Sequence, residues 1–238
     1  LDGANNDFGS PVNATGKAIT LNDKNALTLG DVAASGKLDA TASNDLDLSG
    51  SISADSADLT ATNGAITQSG GTLTVVNGPT NLEADGAITL DQDNDFNGTV
   101  NVLNGTDITL NDTNALTLGD ITASGKLDAT AATDLNLDGT LAVDELEATA
   151  ASGAITQGDG GTLTVATGPT TLTAGTDITL DAATNDFNGT VNAEGQGITL
   201  ADTNDLTLGD IAAGGTLTVD AGGSVDQAAG SSVTADGV

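Results

Sequence analysis

The stretch "DQDND" sets Asp91, Asp93 and Asp95 at alternate positions, and a hard cation such as calcium takes its ligands from clustered carboxylate oxygens. A second acidic pattern recurs three times: Asp23, Asp112 and Asp202 each stand eight residues before Asp31, Asp120 and Asp210. Calcium is therefore the cofactor these residues nominate, with Asp91, Asp93 and Asp95 as its site. None is required, because "DQDND" occurs once and the matching stretches "AATND" and "GANND" lose two of the three acids. Acids solvated in turns are the competing reading.

The remaining inventory is narrow. The chain has no histidine, cysteine or arginine, which removes the ordinary catalytic triads, thiolate nucleophiles, the usual zinc sites and bidentate anion clamps. Paired carboxylates could in principle hydrolyse a glycosidic bond. Sugar sites, however, present aromatic faces, and the aromatic residues here are Phe8, Phe96 and Phe187 alone. An enzyme is not expected, and a carbohydrate-active one ranks last among the function classes weighed.

Charge limits the partners. Thirty-four acidic residues against four lysines give a formal charge of −30, a field that repels nucleic acid and anionic lipid. No apolar run approaches the ~20 residues of a membrane span, so neither nucleic acid nor direct membrane insertion is expected. Disorder would suit so acidic a chain, yet the 37% of hydrophobic residues fall in regular alternation, which argues for a packed fold.

The elements that must position these side chains are repeats. "ITLNDKNALTLGD" at 19–31 returns as "ITLNDTNALTLGD" at 108–120 and "ITLADTNDLTLGD" at 198–210; "SGKLDATA", "GAITQ" and "GGTLTV" recur at similar intervals. The unit is a super-repeat of about 90 residues, running approximately 8–95, 96–186 and 187–238. In the last copy "GSVDQ" follows "GAITQ" by 70 residues, which reads as the removal of one whole coil.

Within each super-repeat, apolar segments of three to five residues alternate inward and outward positions and are separated by Gly, Asn, Asp and Ser. Such pieces have the two-residue period of a half-buried strand bounded by tight corners. They are too short to be stable as hairpins. Stacking each group of three on the next, ~4.8 Å away, satisfies the backbone and threads Leu, Ile and Val into ladders. The expected fold is all-β: a right-handed parallel β-helix over 1–238, with three strands and 19–26 residues per coil and about 11 coils.

On that frame Thr28, Thr67, Thr89, Thr117, Thr156, Thr179 and Thr207 form one exposed column, interrupted by Asp47 and Asn136. Threonine suits an open strand face, and the same hydroxyls could meet a carbohydrate. Phe8, Phe96 and Phe187 are expected to point inward as plugs of the longest coils.

The tandem "GxITLxDxNxLTLGDxxASGxL" and "DFNGTVN" phrases resemble the repeat regions of large haemagglutinin-type exoproteins, the filamentous adhesins of Gram-negative bacteria. The resemblance runs through all 238 residues. It implies a non-enzymatic adhesive shaft at the cell surface or in the extracellular matrix of a biofilm, with surface or matrix polysaccharide as partner. The chain starts in mid-coil and stops without a polar cap, so it is expected to be a section of something longer. The alternative is a self-assembling extracellular filament whose copies meet end to end.

Overall fold

A computed structural model of the chain describes residues 1–3 and 5–237. It is all-β, with no helix among the described residues, and its strands pair in parallel as a β-solenoid. The chain divides into two compact units, Leu1–Thr113 and Asn114–Val238.

In the first unit three faces are stacked coil on coil. One carries Ile19–Asp23, Lys37–Ala42, Ser56–Ala61, Thr80–Ala84 and Thr99–Asn104. The next begins at Leu27 and rises through Leu46–Leu48, Ile66–Gln68, Ile88 and Ile108–Asp112. The third holds Val32, Ile52–Ala54, Leu73–Val75 and Phe96. Alternation drives the assembly: Leu27, Leu46, Ile66 and Ile88 are fully buried in one ladder, while Thr28 and Asp47 between them point outward. The second unit repeats the plan through Leu116, Leu135, Ile155, Ile178 and Ile198.

Register is set by packing. Leu38 lies under Ala57 and Ala40 under Leu59, an offset of two residues from leucine-on-leucine stacking. Two residues keep every side chain on its own side of the strand, and a large residue over a small one fills a narrow core. The spacing between stacked residues also runs from 17 (Thr190 under Thr207) to 24 (Leu146 under Thr170), shifted below the 19–26 expected.

The short coils differ in build as well as in length. Thr190–Gly195 and Ile198–Asp202 are followed directly by Leu206, which begins the next level. Two strands make this coil, and a buried aspartate stands where the third strand would be.

Candidate functional site

The buried aspartate is Asp202, 3% exposed. Its Oδ2 accepts the backbone N–H of Phe187 in the coil beneath at 2.8 Å, and its Oδ1 accepts the N–H of Asn204 at 2.6 Å. Asp112 holds Phe96 N at 3.0 Å in the same way, and Asp23 holds Phe8 N at 2.8 Å. The "ND" and "DF" words of the sequence are thus two halves of one clasp. A carboxylate that accepts backbone N–H groups stabilises a corner that has lost its strand partners. This role replaces the cation-ligand reading of Asp23, Asp112 and Asp202.

Beneath the clasp lies a reciprocal amide pair. In the first unit Gln68 Nε2 donates to Asn94 Oδ1 at 2.8 Å and Asn94 Nδ2 donates to Gln68 Oε1 at 3.1 Å. Asn94, fully buried, also accepts Leu73 N and donates to the Leu90 carbonyl. The second unit copies it with Gln157 and Asn185 at 2.7 and 2.9 Å. The pair stands in for strand pairing where the widest coil swings out. It was missed in the sequence, although Gln after "AIT" and Asn before "DF" recur together in both repeats.

Of the three expected plugs, Phe96 and Phe187 are 2% exposed, seated over Val75 and Val165. Phe8 is half-buried and corrects the expectation, because no strand among the described residues lies beneath it. Asp91, Asp93 and Asp95 are not brought together as a cation site. Asp91 and Asp93 are exposed, Asp91 accepts from Gln92 and Asp95 from Asn97. Among the described residues no group of three or more acidic side chains is gathered to hold a metal.

The threonine column is corrected too. Thr28, Thr67, Thr89, Thr117, Thr156, Thr179 and Thr207 are half-buried, not exposed. Thr28 and Thr67 flank Asp47, and Thr89 stacks under Thr109. Thr117, Asn136, Thr156 and Thr179 form a second column that continues to Thr199, bonded along its length: Thr156 Oγ1 donates to Asn136 Oδ1 at 2.7 Å. Thr207 stands elsewhere, over Thr190. Neighbouring side chains crowd a residue that has a coil above and below, which is why these hydroxyls are half-covered.

Most of the outward acids have structural partners. Asp31, Asp120 and Asp210 accept the backbone N–H of Ser51, Thr140 and Ser232 on the following coil at 2.9–3.0 Å. Asp45, Asp134, Asp177 and Asp205 do the same at another corner. Two stacked acid pairs, Asp39 under Asp58 and Asp128 under Glu147, are each bridged by a lysine, Lys37 and Lys126. The hydrogen bond to Asp58 raises the Lys37 pKa above its ordinary value despite some desolvation, and Glu147 does so for Lys126. At the first clasp, Lys24 pairs with Asp7 at 3.0 Å and holds its carboxyl below the usual range.

The first unit carries 16 acids and three lysines, the second 18 and one. With coils ~4.8 Å apart, each unit bears on the order of one net negative charge per 2 Å, comparable to the ~1.7 Å of duplex DNA. Surface concavities are shallow: one of about 250 Å³ runs past Asp31, Ala33, Ser51, Ser53, Thr72 and Thr74.

Residues 16–57, 40–103, 105–146, 130–194 and 195–238 match a family described as "Repeats of unknown function (DUF5649)". The overlaps at 40–57 and 130–146 are about one coil long, as expected where successive coils resemble each other. No curated protein and no solved structure matches the chain.

Proposed function

We propose a structural role from one premise: the chain belongs to the DUF5649 family of repeats. The role is that of a non-enzymatic shaft, a length of β-solenoid that projects or spaces other groups and meets partners along a repetitive surface. One observation carries it. The recurring aspartates of the repeat, Asp23, Asp112 and Asp202 with Asp31, Asp120 and Asp210, are engaged in joining coil to coil, as Asp202 with Phe187 N and Asp120 with Thr140 N illustrate. A catalytic carboxylate must instead be held ready for a substrate.

The finer reading places this shaft in a haemagglutinin-type exoprotein at a bacterial cell surface or in a biofilm matrix, with polysaccharide as partner. What supports it is the phrase resemblance, the hydroxyl and carboxylate surface, and a charge that opposes lateral aggregation. The test is electron microscopy of the purified chain at physiological salt, with and without calcium. Separate, unassembled rods are expected. Uniform fibres with a regular axial repeat would replace the shaft by a self-assembling filament, and irregular globules would remove both.

A further inference from the structure

Each unit contains a geometric step that the 90-residue period conceals. In the first unit the column Leu27, Leu46, Ile66, Ile88, Ile108 climbs four coils in 81 residues. The phrase "ITLND" opens at Ile19 and again at Ile108, 89 residues on. The eight-residue excess is the distance from Ile19 to Leu27, one face to the next. The second copy therefore stacks above the first copy's "LTL", while Ile19 itself heads the column Leu38, Ala57, Thr80, Val100.

The second unit behaves alike. Leu116 to Ile198 is four coils in 82 residues, and "LTLGD" recurs after 90. Thr207 accordingly lies over Thr190, not on the column of Thr117, which runs through Thr199.

Two local devices produce the step. One face closes: at Phe187 the third strand ends, and Asp202 seals the corner above it. Another face splits. The single strand Thr190–Gly195 pairs with Thr207 and Leu208 and then with Ile211–Ala213 across a register shift, and these stretches underlie two separate strands, Val225–Gln227 and Val233–Gly237. Asn192 Oδ1 accepts Asp210 N at 2.9 Å in the shift. A Cβ on Gly209 would come within 2.2 Å of that oxygen, so the corner needs glycine. Val12–Gly16 beneath Leu27–Ala34 repeats the device, with Asn13 on Asp31 N at 2.7 Å and Gly30 against it.

We infer that the super-repeat advances four coils and one face, so that a surface contact borne once per super-repeat is offered to partners in successive directions about the solenoid axis. Such a surface fits a partner that surrounds the protein, a hydrated polysaccharide network. It does not fit the docking of one face flat on an ordered plane. The partner class rests on the shaft reading; the step does not.

Nitroxide labels on cysteine pairs in the full chain test the step. Thr28→Cys with Thr109→Cys, and Thr20→Cys with Asn101→Cys, join residues four coils apart in one column, about 19 Å at ~4.8 Å per coil. Thr20→Cys with Thr109→Cys joins two copies of the same phrase position and should give a clearly longer distance. In the second unit Thr117→Cys with Thr199→Cys should be short and Thr117→Cys with Thr207→Cys longer, which keeps the test intact if one pair disturbs folding. Phrase copies closer than the column pairs would overturn the inference. Rods by microscopy together with that result would leave the shaft standing and remove only the step.

Discussion

The turn "NDF" occurs three times, and two copies are built alike while the third is not. Asn94 and Asn185 sit buried in reciprocal bonds with Gln68 and Gln157, and the rings of Phe96 and Phe187 are covered. Asn6 keeps only part of this pattern. Its Nδ2 donates to the Leu1 carbonyl at 2.8 Å, as Asn185 Nδ2 does to Leu180, but no glutamine reaches it among the described residues, and Phe8 is half-buried. The same words thus encode half of a contact. The other half comes from the coil beneath, and a solenoid turn is complete only as a stacked pair.

Removing the amide pair should break this likeness most strongly. Asn94→Ala leaves Gln68, Leu73 N and the Leu90 carbonyl without their partner inside the core, at a cost of about 3–5 kcal/mol from several unmet buried groups. Asn185→Ala should cost about the same, and Asn6→Ala less than about 1 kcal/mol, since water reaches its neighbours. Urea unfolding of the three variants checks the order; equal losses at all three positions would mean the coil beneath contributes nothing.

The clasp comes next. Asp112→Ala and Asp202→Ala each remove a buried charged acceptor from a phenylalanine N–H, about 2–3 kcal/mol. Asp23→Ala should lose about 1 kcal/mol, because Phe8 is only half-buried and its bond to Asp23 part-buried. Thermal melts of the set measure the difference, and an Asp23→Ala loss as large as that of Asp202→Ala would show that the clasp acts without the ring's burial.

What was legible in the sequence followed from period, and what was not followed from contact across coils. Leu27, Leu46 and Ile66 advertise an inward ladder because strand alternation and the coil length are both local. Asp112 and Phe96 lie 16 residues apart on different coils, and only the fold makes them neighbours, so the sequence alone offers Asp112 as a cation ligand. Thr207 leaves the expected column for a related reason. Counting from phrase to phrase assumes that equal words face the same way, whereas the ladders place Thr199, not Thr207, over Thr179.

The wide coil carries one more feature that its two good copies share. Thr80 and Thr170 each begin that coil, both are 1% exposed, and neither Oγ1 has a hydrogen-bond partner. Each is packed in the core ladder, Thr80 between Ala57 and Val100. An unmet hydroxyl destabilises, and valine has its shape without it, so Thr80→Val and Thr170→Val should each stabilise by about 1 kcal/mol. A melting temperature that falls in both variants would point to an ordered water bound at each hydroxyl.

The smallest expected difference lies at the lysines, and there the repeats diverge by sequence. Lys37 and Lys126 bridge stacked acids, whereas the third copy has Thr216 at that place. Acids directly opposite each other on neighbouring strands repel, so Lys37→Met and Lys126→Met should destabilise, by no more than about 1 kcal/mol each because the groups are a third to a half exposed and screened by solvent. The sign of the pH dependence follows from raised lysine pKa values. A raised value means the folded chain binds the proton more tightly, so the contribution is whole below ~10.4, the unfolded lysine value, and is lost as pH climbs through the higher folded value. The wild-type chain should therefore lose its small advantage over the double variant only above about pH 10.4, and in molar salt at neutral pH the advantage should shrink as screening shortens to ~3 Å. An advantage that persisted well above about pH 10.4 would show that the protonated amines contribute nothing. One unaffected by salt would assign it to the lysine stems packing on the strand, with charge playing no part.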